Sequence, residues 1–293
     1  MRKEDIILIK RNLHRASYYR CLPVKWDSKT GNIVLQDTKS RKVVIFTLLV
    51  NLAICFCRIF TTFAHSSSLI DKAEAGIGAV MYSIGFILRF DLPIDHDIVK
   101  FVVFLILHPN EKFGLTKTSK VQLLIQFLFY CGEITSLLIA TTVSILTLLS
   151  PCQPILLSSL LCSDENLIFT LKDQTITLLS LATLEFIAFQ QLTTCMMYYI
   201  GTVVLHGVAF IWLSSQAIVK KFRKSTFLKS LLEYRELKVY EKVLNSCAKS
   251  RILLVTALVV PGWQILLCYT AMKLLHSEHA NKFEANLFLW AYI

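Results

Sequence analysis

Residues 175–218 read TITLLSLATLEFIAFQQLTTCMMYYIGTVVLHGVAFIWLSSQAI, 44 residues with no Pro, Lys, Arg or Asp and a single acid, Glu185. One bilayer crossing takes ~20 apolar residues, and a helix of this length would run ~66 Å at ~1.5 Å per residue. Whether the chain crosses here once or twice decides the topology. Why a carboxylate stands among these apolar side chains decides where chemistry is to be sought.

The stretch belongs to a chain of 293 residues that is 55% hydrophobic and only 17% charged, below the ~25% charge of a soluble domain. The apolar residues are gathered into long runs, which is the pattern of an all-α, polytopic membrane helix bundle. A basic segment, 1–42, precedes the bundle at 43–293. Five complete spans are expected, at about 43–63, 75–92, 121–149, 175–200 and 252–275. A sixth begins at 286–293 and ends as LFLWAYI, too short to cross, so the chain is expected to break off inside a span. The first apolar run starts near Val43 and is too long for the h-region of a signal peptide. Segment 97–108, DIVKFVVFLILH, has a core of ~10 apolar residues and reads as an interfacial amphipathic helix.

Orientation follows from Lys plus Arg between spans. Segment 1–42 carries eleven, 64–74 one, 91–120 four, 150–173 one, 217–251 ten and 276–285 one. High and low counts alternate, which places the N-terminus and the loops 91–120 and 217–251 in the cytosol. Two crossings in 175–218 would put the ten basic residues outside and break the alternation. The stretch also offers no turn beyond Gly201 and Gly207. One crossing is therefore expected, at 175–200, with a helical extension to 218 buried against neighbouring protein. Arg58, Arg89 and Lys273 are expected near span ends, where long side chains snorkel to the interface.

The net charge of +11 is accounted for by these cytosolic loops, so nucleic acid is not expected as a partner; the lipid bilayer is. No GxSxG, P-loop, HExxH or dinucleotide-binding motif occurs, so neither an enzyme nor a cofactor is expected. HSEH at 276–279 lacks a third metal ligand nearby and reads as surface. The nine Cys form no CxxC pair. Cys152 and Cys162 flank the outer loop PCQPILLSSLLC, where a disulfide is expected, the other reading being two free thiols.

Two carboxylates lie within spans, Glu133 in YCGEITS and Glu185 in TLEFIAFQQ. An ionisable group at that depth is a functional hypothesis by default. One reading sets Glu133 near mid-bilayer and makes both acids polar anchors of an outward-facing cavity for a small-molecule ligand. Gln190, Gln191, Tyr130, Tyr198 and Tyr199 are the companions. The other reading is interhelical hydrogen bonding between a protonated carboxyl and Ser or Thr.

Between the fourth and fifth spans, residues 225–250 place Phe227, Leu231, Tyr234, Leu237, Val239, Tyr240, Val243 and Leu244 at three- and four-residue spacing, with Lys229–Glu233 among the charged pairs. This predicts a cytosolic amphipathic helix, lying either on anionic lipid or on protein. The basic N-terminus, the long inward-projecting helices and YRELKVYEKVLNSC before a span resemble the arthropod seven-pass chemoreceptor superfamily. These are the gustatory and odorant receptors, and the likeness is to divergent springtail members. The resemblance implies an inverted, N-in topology and a plasma-membrane location. It also implies a ligand-gated cation channel built as a homo- or hetero-oligomer, a tetramer in the family. The Thr-Tyr pair that marks the family's last span does not occur here, and no pore residue carries over. The alternatives are a multi-pass transporter, which would show internal repeats or paired broken helices, and a non-channel membrane scaffold. A G-protein-coupled receptor would need an outside N-terminus and the DRY and NPxxY signatures, which are missing.

Overall fold

A computed structural model describes residues 3–64, 69–89, 96–107, 120–153, 155–161, 171–222 and 227–259, with 261–262, 264, 267 and 268. The chain is mostly helical. Helices α1 (Lys3–Tyr18), α2 (Thr38–Ala64), α3 (Leu69–Arg89), α4 (His96–Leu107), α5 (Lys120–Leu149), α6 (Leu171–Met196), α7 (His206–Phe222) and α8 (Phe227–Leu254) account for most of it. A short antiparallel hairpin of β1 (Val24–Asp27) and β2 (Asn32–Leu35) is the one sheet among the described residues.

The opening stretch lies inside an unbroken helical run. A π-helical segment, Met197–Leu205, joins α6 to α7 with no turn between them. Among the described residues three stretches are long and apolar enough to cross a membrane: Thr38–Thr62, Lys120–Leu149 and Thr175–Lys220. Ala75–Arg89 is apolar but shorter. Residues 260, 263, 265–266 and 269–275 of the expected span 252–275, and all of 286–293, lie outside the described residues.

The chain divides into two compact units. The first comprises 1–47, 89–137 and 190–251, the second 48–88, 138–189 and 252–293.

In the first unit, residues 3–42 are a folded element. Leu8, Ile9, Leu13 and Ala16 form the buried face of α1, and each large apolar side chain so buried contributes about 1.5–3 kcal/mol. Leu8 shares a core with Ile125 and Phe129 of α5 and Ala209 of α7. The helix ends in a Schellman motif, with Cys21 N–H on Ala16 O at 3.1 Å and Arg20 N–H on Ser17 O at 3.3 Å. The left-handed position, usually glycine, is held by Arg20 at φ 50°. The hairpin turn is set by Asp27, whose carboxylate takes Lys29 N–H at 3.0 Å and Thr30 Oγ–H at 2.9 Å, and by Gly31 at φ 67°. Asp37 precedes α2 and accepts Ser40 Oγ–H at 2.7 Å.

Helix α4 corrects the interfacial expectation for 97–108. Ile98, Phe101, Val102, Leu105 and Ile106 are buried, and the helix packs on the π segment, α7 and β2. Its apolar face is covered by protein. In α8 the buried stripe is narrow, Leu237, Leu244 and Cys247, while Tyr234 and Val239 are largely exposed.

In the second unit, α2, α3, α6 and the segment after α5 pack together. Gly78 of α3 lies against Ile155, where a Cβ would come within 2.5 Å of Ile155 Cγ1. Only glycine lets that segment approach so closely.

Candidate functional site

The two intraspan carboxylates belong to different units and meet different partners. Glu185, in the second unit, has no exposed surface. One oxygen accepts Arg58 Nη2–H at 2.5 Å and the other Leu157 N–H at 2.8 Å. Arg58 also donates to the carbonyl of Ile155. Its guanidinium lies 5.0 Å from the Tyr82 ring centre and 5.3 Å from that of Phe189. Tyr82 in turn donates to Asn51 Oδ1 at 2.6 Å. This corrects the snorkelling expectation for Arg58. It points inward, and its charge is balanced in the one way a dry interior accepts, by a hydrogen-bonded opposite charge. The pair fastens the segment after α5, at Ile155 and Leu157, to α2 and α6.

Glu133, in the first unit, is buried and engages α1. Arg11 donates to it through Nε at 2.8 Å and through Nη2, and Arg15, one turn on, lies 3.7 Å away. The fork of two parallel bonds is the geometry arginine is built for. The Arg11 guanidinium rests 4.9 Å from the ring centre of half-exposed Tyr130. Glu133 is thus where the basic N-terminal helix docks on α5.

Of the other expected ligand residues, Gln190 exchanges hydrogen bonds with Ser136. Gln191 donates to Tyr19 O at 3.1 Å and accepts from Arg89 Nη1 at 3.1 Å. Arg89 also reaches Thr47 Oγ1 at 2.6 Å, so it too is turned inward and does not snorkel. Tyr198 is buried in the π segment. Tyr199 donates to Cys247 O of α8 at 3.1 Å under the guanidinium of Arg251. The π segment is a packing hub: Gly201 faces Phe129, whose ring would lie 2.6 Å from an added Cβ. The His206 ring nitrogen Nδ1 bonds Gly201 O at 2.6 Å.

Within the first unit, Arg11 brings Glu133 and Tyr130 together. The residues missed by sequence reasoning are Arg11, Arg15 and Arg58. Arg58 carried a usable signal, being a lone cation in an apolar run while Glu185 is a lone anion in another. Arg11 and Arg15, four apart, share a helix face.

Cys152 is disulfide-bonded; Cys162, HSEH and Lys273 lie outside the described residues. Cys21 and Cys195 are buried side by side, Cys195 Sγ–H donating to Cys21 O at 3.4 Å. Burial, then the neighbouring thiol, pushes the Cys21 pKa well up, so it stays a thiol. Among the described residues no cluster of three or more His, Cys, Asp or Glu is placed to hold a metal ion. No family model, curated protein or solved structure matches the chain.

Proposed function

We propose that the chain is a multi-pass plasma-membrane receptor subunit of the arthropod chemoreceptor kind, one that binds a small molecule and, with other subunits, opens a cation path. The observation that carries this reading is the unbroken helical run 171–222. It has an apolar first half, while its second half packs among α1, α4 and the π segment in the unit that holds the basic residues. A long helix projecting past the bilayer into a basic cytosolic body is the layout on which the resemblance rests.

Helix α5 fits the same arrangement. Its 30 residues make ~45 Å of helix against ~30 Å of hydrocarbon. With Leu149 at the outer face, the inner face falls roughly 20 residues back, near Tyr130. Glu133, expected at mid-bilayer, then stands one turn inside the cytosolic boundary, where Arg11 and Arg15 reach it. Glu185 serves as the clamp of the outer segment.

The test has two parts. Glycosylation acceptors at the N-terminus and within 219–250 should both stay unmodified, and glycosylation of the 219–250 acceptor would reverse the topology. Ligand-evoked calcium entry, scored with a panel of sugars, bitter compounds and volatiles, tests the activity. Normal surface expression with no response across the panel, alone or co-expressed with other subunits, would remove the receptor reading.

A further inference from the structure

A groove of 490 Å³ lies between α1 and the hairpin. Lys10, Arg11, His14 and Ser17 line it from α1, and Lys25 and Trp26 from β1. The α1 positions fall three and four apart and so share one helix face. Lys10, His14 and Lys25 are exposed, and Trp26 is half-buried. No carboxylate lines the groove. Asp27 and Asp37 lie near enough to Lys25 to feel its charge, but their oxygens are taken by Lys29 N–H and Thr30 and by Ser40. Arg11 is held by Glu133, which leaves Lys10 and Lys25 as the cations of a concave site that also offers the Ser17 hydroxyl, and this suits a phosphate-bearing anion.

The surroundings say which source. Arg11, on the groove wall, stacks on Tyr130. Along α5 from Tyr130 run Ile134 and Leu137, 59% and 51% exposed. A charged groove whose wall residue Arg11 also touches Tyr130, at the head of an exposed apolar strip, matches a molecule with an anionic head and an acyl tail. Trp26 beside lysine is the side chain found where headgroups meet hydrocarbon. We infer that this groove binds the phosphorylated headgroup of an anionic membrane lipid, with the acyl chain lying along Ile134 and Leu137. The cytosolic leaflet as the lipid's home rests on the topology proposed above; the site itself does not.

The experiment uses the full chain in phosphatidylcholine nanodiscs, which expose both faces, so its outcome is independent of which way the N-terminus points. Binding of a short-chain phosphatidylinositol bisphosphate is measured against soluble inositol trisphosphate. The lipid should bind more tightly. Lys10→Gln with Lys25→Gln should weaken it about thirtyfold, since each lysine near such a headgroup is worth about a factor of five. Neither lysine takes part in the Glu133 pairing, so folding is spared. Lys39→Gln with Lys42→Gln, which removes the same charge from exposed positions outside the groove, should leave binding unchanged. Equal loss in the two double variants, no loss in the groove variant, or equal affinity for the soluble headgroup would overturn the assignment.

Discussion

Arg58 Nη2 and Glu185 Oε2 meet at 2.5 Å with side chains 4% and 0% exposed. A pair this dry tolerates the loss of neither partner, because the survivor is left as a buried, uncompensated charge, at a cost of about 3–5 kcal/mol. Glu185→Gln is therefore expected to reduce surface expression sharply, although the amide keeps the shape. Arg58→Met combined with Glu185→Met should restore much of it. Surface biotinylation reads both. A Glu185→Gln chain at normal surface level would mean that the pair is not what holds the segment.

Gly201→Ala tests the π segment. The added methyl would sit 2.6 Å from the Phe129 ring, and a ring packed in a core has little room to yield. The expected loss is about 1–3 kcal/mol, seen as a lower unfolding temperature in detergent. Gly201→Ala with Phe129→Leu should recover part of it.

Arg20 should be improvable. Its left-handed φ costs roughly 1–2 kcal/mol that glycine avoids, and its side chain is exposed. Arg20→Gly is expected to raise the unfolding temperature of the purified chain. A fall would show that the arginine side chain contributes more than its backbone costs.

The hairpin turn should loosen in acid. Lys29 N–H, then the Thr30 hydroxyl, hold the Asp27 carboxyl below its ordinary pKa. A depressed carboxyl adds stability that is complete above the ordinary value of ~3.9 and is lost as pH falls through the folded one. Protection of the turn amides, taken as their exchange relative to the intrinsic rate at each pH, should fall below that value, and Asp27→Asn should abolish this pH dependence.

Cys152 is expected to pair with Cys162 across the outer segment. Alkylation without reductant, followed by mass spectrometry, should leave both unmodified. Labelling at Cys162 alone would assign Cys152 a different partner.

The helical fold, the unbroken helical run through 175–218 and a helix at about 225–250, seen as Phe227–Leu254, were legible in the residues themselves. Hydrophobic runs and missing turn residues act locally, along one segment at a time. The same local signals showed that Glu133 and Glu185 needed explanation. They could not show the answer, since Arg11 is 122 residues from Glu133 and Arg58 is 127 from Glu185. Nor could periodicity show that 3–35 folds into a helix and hairpin, because α1 alternates charge with apolar residues and gains its stability from Ile125, Phe129 and Ala209 elsewhere in the chain. Which charge meets which is decided by chain topology. A buried ion is tolerated only where tertiary packing delivers its partner.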